Sequence, residues 1–310
     1  MKTDRRQFLK TASLSLASLG ALSSAALAAQ SKDKGKEKAK AKGSEEPMPS
    51  FAKKSPMHLG TVTYNIAMDW DIPTLIKNCT EAKFEGVELR TTHKHGVEVT
   101  LGKSERAEVK KRFADSPVKL VSLGSAFEFQ TPDQAKLKKD IAATKEYIVL
   151  ARDVGATGVK VRPNGLPKEV PVEKTLEQIG HSLRELGEFA AGHGLKIFME
   201  VHGSGTSLVP NARKILDFAD HPQVGACWNS NQTDLSGAGF DHNFNLLKGK
   251  IFTVHMRDLF LENYPFRKLL NGLVESGFRG FCFAEIPAST DPVRVMHYYR
   301  SLWLAYQGLL

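Results

Sequence analysis

Several features that would settle the class of a chain at once are missing or scarce. There are three cysteines among 310 residues. Cys79, Cys227 and Cys282 each sit in an apolar or helical pattern, which excludes a disulfide framework and leaves buried packing as the expected use. No glycine-rich phosphate loop follows the first apolar strand, where Tyr64-Asn65-Ile66-Ala67 stands instead. Walker loops, a Gly-x-Ser-x-Gly elbow and a His-Glu-x-x-His helix are also lacking. These absences argue against dinucleotide binding of the Rossmann kind, P-loop phosphoryl transfer, α/β-hydrolase chemistry and helix-borne zinc proteolysis. With 41% hydrophobic and 25% charged residues, the chain is neither collagen-like, coiled-coil nor wholly disordered.

The positive charge is unevenly placed. The chain carries 43 basic and 34 acidic residues, a net of +9, of which +3 lies in residues 1–30 and +4 in 31–57, leaving +2 for 58–310. The main body is therefore close to neutral, and no nucleic-acid partner is expected. Arg5-Arg6-Gln7-Phe8-Leu9-Lys10, followed by a mild apolar run from Thr11 to Ala25 and the small-x-small site Ala26-Leu27-Ala28, resembles a twin-arginine (Tat) export signal. Residues 1–28 are expected to be removed, giving a periplasmic or secreted protein. The run is too short and too rich in serine for a membrane span of about 20 residues, so no stable membrane insertion is expected after cleavage. No cysteine lies at the cleavage site, which excludes a lipid anchor. Residues 29–57 read as a disordered, lysine-rich tether, because almost nothing larger than alanine is available to bury.

From residue 58 the pattern becomes a regular alternation of short apolar runs and longer amphipathic stretches, eight strand-then-helix units in all. The strands, such as Ile197-Phe198-Met199 and Phe281-Cys282-Phe283-Ala284, lack polar alternation, as strands buried on both faces do. Asp133 and Asp291 are good helix starters. Gly86, Gly158, Gly194 and Gly280 precede strands, where a helix exit favours positive φ. Eight units in residues 58–310 suit a single (β/α)8 TIM barrel better than an open doubly wound sheet.

In such a barrel, functional side chains come from the C-terminal ends of the strands. Those ends here read Glu88-Leu89-Arg90, Lys160-Val161-Arg162, Glu200-Val201-His202, Asn229-Ser230-Asn231, His255-Met256-Arg257-Asp258 and Glu285-Ile286-Pro287. Converging buried charges need a shared explanation. Glu200, His255 and Glu285, with a carbonyl oxygen from Asn229, form an oxygen and nitrogen set suited to one divalent ion, Mn²⁺, Mg²⁺, Co²⁺ or Zn²⁺. A ring of ion pairs between Glu200 or Glu285 and Arg90, Arg162 or Arg257 is the alternative. His202 reads as a substrate contact or a support for the site. His93 and His95 lie in the loop after strand two, facing either substrate or solvent.

The segments Phe84-Glu85-Gly86-Val87-Glu88-Leu89-Arg90, Met199-Glu200-Val201-His202-Gly203, Val254-His255-Met256-Arg257-Asp258 and Phe283-Ala284-Glu285 resemble the xylose isomerase-like barrels. That group includes sugar phosphate isomerases and epimerases and the endonuclease IV fold. The resemblance implies metal ligands Glu200, Asn229, His255 and Glu285, with asparagine where the family usually has aspartate. Gln232 stands where epimerases often carry a substrate-binding histidine.

The implied chemistry is removal of a proton beside a carbonyl, with Glu200 and Glu285 as the acid and base and a metal stabilising the enediolate. Glu88, Arg90, Arg162, His202, Asn231 and Arg257 are the candidates for holding a small carbohydrate. A lyase or hydratase acting on a keto-sugar, a non-catalytic sugar-binding barrel and an endonuclease IV-like phosphodiesterase are the other readings. Export favours free sugars, keto-sugars and glycosides over phosphorylated metabolites. Barrels of this class often pair, which makes a homodimer possible; the sequence itself is silent on oligomeric state.

Overall fold

The structure, a computed structural model, describes residues 54–310. The expected signal and most of the tether lie outside the described residues. The eight strands are β1 (His58–Val62), β2 (Gly86–Arg90), β3 (Lys119–Gly124), β4 (Gly158–Val161), β5 (Lys196–Glu200), β6 (Val224–Asn229), β7 (Ile251–Met256) and β8 (Phe281–Ala284). They alternate with α1 (Ile72–Glu81), α2 (Lys103–Ala114), α3 (Gln134–Val154), α4 (Val172–Ala191), α5 (Val209–Ala219), α6 (Phe240–Leu247), α7 (Phe266–Glu275) and α8 (Pro292–Tyr306). All neighbouring strands are parallel, and β8 pairs with β1 to close the barrel. Packing begins just ahead of β1: Met57 is buried, and Ser55 Oγ donates to Gln307 Oε1 at 2.7 Å.

Local chemistry explains the boundaries. The Asp133 carboxylate accepts from the backbone N–H groups of Ala135 and Lys136, and Asp71 caps α1 through Thr74. Proline stands in the first turn of α1, α5 and α8, where no intrahelical donor is lost. Four of the glycines divide differently from expectation. Gly194 has the anticipated positive φ, +70, in the turn that follows α4. Gly86, Gly158 and Gly280 do not have positive φ; they are glycine because aromatic rings fill the space a Cβ would need. A Cβ on Gly86 would lie 2.4 Å from Phe281, and one on Gly158 would lie 2.8 Å from Phe198.

There are two hydrophobic cores. The larger lies between the sheet and the helices and contains Cys79 and Cys282; Cys227 is outside it, buried against His255, and all three are free thiols. The smaller is inside the barrel, where Val62, Val121 and Phe283 meet and Phe281 stacks on Phe283 at 5.6 Å. This aromatic floor fills the lower lumen and leaves the C-terminal ends of the strands as the place for chemistry. None of the described helices is long and apolar enough to cross a membrane.

Candidate active site at the barrel mouth

His255, near the end of β7, is the centre of the site and is 1% exposed. Its Nδ1 lies 3.8 Å from Glu200 Oε1 and 3.7 Å from Glu285 Oε2, while Nε2 lies 3.4 Å from Glu88 Oε1. Neither ring nitrogen has a hydrogen-bond partner, and Glu88 Oε1 has none either. One ligand atom from each of Glu200, His255 and Glu285 lies within 4.8 Å of the other two. Among the described residues this is the one such group. Two carboxylates and an imidazole converging without mutual hydrogen bonds fit a divalent cation, and Glu88 behind the ring is placed as the carboxylate that orients a ligating histidine.

Glu200 is more heavily engaged than the sequence suggests. Its Oε2 accepts from Lys160 Nζ at 2.6 Å, and its Oε1 accepts from Asn229 Nδ2 at 3.1 Å. Asn229 is thus in the ring of expected ligands but presents its amide nitrogen to Glu200; its carbonyl oxygen would serve a cation only after the amide turned over. Burial alone would raise the Glu200 carboxyl, but the Lys160 ammonium and His255 outweigh it and hold it at about 2. Burial likewise opposes the Lys160 charge, and Glu200 and Glu88 reverse that effect, keeping the ammonium protonated. Glu285 behaves in the opposite way: burial raises its carboxyl, and the pull of His255 does not cancel it.

Of the residues expected to hold the metal or the carbohydrate, all but Glu88 line one cavity of about 410 Å³ at the barrel mouth. Glu88 is fully buried beneath it, accepting from Ser122 Oγ at 2.8 Å, so it supports His255 and does not reach the substrate space. A Cβ on Gly124 would meet its Oε1 at 2.8 Å, so the strand beside it leaves room for this carboxylate. His202 is half-buried in the cavity wall, with Nδ1 unpartnered. His95 is structural, bonded to Arg90 O at 2.7 Å and accepting from Val97 N, while His93 bonds Thr63 Oγ1 at 2.9 Å. Gln232 is exposed, with Nε2 donating to Asn263 O, and is not part of the cavity wall.

Two buried ionisable groups at the site have no role assigned by the sequence pattern. Lys160 stands between Val159 and Val161 and has its partner forty positions away. The other is Asp234, in the 3₁₀ turn Gln232–Leu235 after β6. Its Oδ2 accepts from Tyr264 Oη at 2.6 Å and from the backbone N–H of Asn231 at 3.1 Å. Tyr264 in turn accepts from Trp228 Nε1 at 3.0 Å. This chain fixes Asn231, whose side chain also donates to Val201 O. Burial raises the Asp234 carboxyl to about 7 despite these donors.

The model of the family described as xylose isomerase-like TIM barrel matches residues 76–301. Among solved structures, the chain is similar to the IolI protein determined with a bound zinc atom, at 18% identity and TM-score 0.69, over 81% of this chain and 98% of that one. It is similar to L-ribulose 3-epimerase at 15% identity and TM-score 0.68, over 82% and 95% of the two chains. The E. coli 3-keto-D-glucoside 4-epimerase YcjR aligns at 14% identity and TM-score 0.66, over 80% and 99%. No curated protein matches the chain by sequence. The match over 76–301, on a closed eight-stranded barrel with this cluster at its mouth, establishes that the chain belongs to the xylose isomerase-like TIM barrel family.

Proposed function

We propose that this protein is an exported, metal-dependent sugar isomerase or epimerase that removes and returns a proton beside a carbonyl. The observation that carries the reading is the convergence of Glu200 and Glu285 on His255 Nδ1 at 3.8 and 3.7 Å, at the bottom of an open polar cavity. The two sugar epimerases and the zinc-holding barrel among the similar folds support it. A divalent ion held by Glu200, His255 and Glu285 would supply positive charge beside the substrate oxygens, lowering the cost of the anion that forms on deprotonation.

The two carboxylates then have unequal tasks. Both oxygens of Glu200 are already hydrogen-bonded, so it serves as a fixed negative charge and ligand rather than as a mobile base. Glu285 has no such donors and a raised carboxyl, which suits it to take the proton and deliver it to the neighbouring carbon on the same face, as isomerisation requires; inversion at one carbon needs a second proton donor on the opposite face. His202 Nδ1 and the Asn231 side chain edge the cavity where hydroxyls would be oriented. A keto-sugar lyase would use the same groups and differs only in the fate of the anion. Endonuclease IV-like cleavage needs several metals, and among the described residues there is a single three-ligand group.

Mature protein supplied with Mn²⁺ or Zn²⁺ and incubated in D₂O with free sugars and 3-keto-glycosides should place deuterium on the carbon beside the carbonyl. Loss of a substituent in place of exchange identifies the lyase. No exchange, no isomerised product and no elimination across the panel, in protein shown to bind metal, rejects the catalytic reading.

A further inference from the structure

Arg90, Arg162 and Arg257 all border the cavity, at the ends of three different strands. Arg90 is occupied, lying 5.2 Å over the Tyr64 ring and donating to Thr91 O. The other two have buried nitrogens that meet no acceptor, Nε of Arg162 and Nη2 of Arg257. Arg257 is nevertheless held in place, its Nε donating to Ser230 O at 2.9 Å and its backbone N–H to Ser230 Oγ at 3.2 Å. Glu128, at 3.8 Å, is the one carboxylate near Arg162, and among the described residues Arg257 has no ion pair. A buried guanidinium N–H with no acceptor in the protein calls for one from outside it, and each of these two arginines keeps one.

We propose that the substrate is a sugar acid whose carboxylate docks against Arg162 and Arg257. The inference rests on the sugar isomerase or epimerase reading and narrows its substrate class. Lys160 is neutralised by Glu200, so the rest of the cavity wall sets three arginines against Glu285 and Asp258. A divalent ion would make the balance more positive still. A neutral sugar leaves that excess uncompensated, whereas a carboxylate accepts from guanidinium edges in a planar, charge-assisted geometry.

Phosphate is the less suited anion. Barrels that hold phosphate commonly do so with backbone N–H groups after strands seven and eight. Here Asp258 follows β7 and Pro287 follows β8, both facing the cavity. The first repels a dianion, and the second has no N–H to offer.

The test is calorimetric titration of Mn²⁺-loaded mature protein at low ionic strength with glucuronate, galacturonate and 2-ketogluconate, with glucose, galactose and fructose, and with the 6-phosphates of those three sugars. At least one acid should bind about tenfold or more tighter than its neutral counterpart and its phosphate, as expected for charge-assisted hydrogen bonds. Arg162→Gln and Arg257→Gln should each remove most of that preference. Arg257→Lys and the salt dependence of the wild-type protein decide the matter if a glutamine variant fails to fold; acid binding, unlike neutral-sugar binding, should weaken as salt rises. The proposal is overturned by equal binding of acids and neutral sugars, by preference for phosphates, by a preference that survives both substitutions, or by no binding at all. Deuterium exchange into neutral sugars without acid preference would overturn it while sparing the enzymatic reading; acid preference without exchange would do the reverse.

Discussion

Lys160 Nζ lies 2.6 Å from Glu200 Oε2, and both side chains are almost completely buried, 7% and 4% exposed. The lysine supplies one unit of positive charge inside the ligand cluster itself. Lys160→Met should therefore leave Glu200 buried and unpaired, costing about 3–5 kcal/mol. Adding Glu200→Gln to that variant should recover most of the loss. Urea denaturation of the two variants checks this, and a Lys160→Met protein as stable as wild type would show that the pair contributes nothing.

Glu200 and Asp234 should shape the pH dependence of stability in opposite senses. The Glu200 carboxyl is depressed from 4.5 to about 2, so its contribution is complete above pH 4.5 and is lost as pH falls toward 2, a change of about 3 kcal/mol. Asp234 is raised from 3.8 to about 7, so the native chain holds its proton more tightly than the unfolded chain. Its contribution is complete below pH 3.8 and is lost as pH rises through 7, a change of roughly 4 kcal/mol. Asp234→Asn keeps an acceptor for Tyr264 and Asn231 and should flatten the fall in stability between about pH 4 and pH 7. Urea midpoints of wild type and variant between pH 5 and pH 8.5 read the difference directly; parallel curves would remove Asp234 as the cause.

Glu88 should govern metal affinity without touching the metal. Glu88→Gln keeps the Ser122 bond but removes the charge facing His255 Nε2, and should weaken Mn²⁺ or Zn²⁺ binding about 10–100-fold while the fold persists. Gly124→Ala should do the same by displacing the carboxylate, since its Cβ would meet Oε1 at 2.8 Å. Titration calorimetry with the metal alone measures both effects, and unchanged affinity in Glu88→Gln would assign Glu88 to packing only.

Glu285→Gln should abolish proton exchange, with a fall of at least about 10²-fold, while circular dichroism and melting stay close to wild type. Glu200→Asp should lose activity together with metal affinity. Residual exchange at the wild-type rate in Glu285→Gln would move the base elsewhere.

The fold was legible because a parallel barrel buries both faces of each strand, which leaves unbroken apolar runs punctuated by ionisable residues at one end. That rule found Glu200, His255, Glu285 and the three arginines, and the structure brings them to one cavity. It misplaced Glu88, because the end of a strand is defined along one chain whereas depth in a barrel depends on the stagger between neighbours. The same stagger hid Lys160, which pairs in register with Phe198 and still reaches Glu200 two residues further along β5. Local sequence reports the backbone freedom of Gly86, Gly158 and Gly280 but not their crowding: the rings of Phe281 and Phe198 reach the first two from other strands, and Gly280 is hemmed in by Phe278 and by the carbonyl of Phe252.

The stacked Phe281 and Phe283 beneath the site make the lumen a blind well with one opening. On the proposed mechanism, water, substrate and any hydrogen taken up by Glu285 share that single route. While a sugar sits in the well it also stoppers it, so the abstracted hydrogen should often be handed back before it can trade with the bulk. Such a well would leave an isotopic fingerprint: product formed in heavy water carrying less label than the number of turnovers requires.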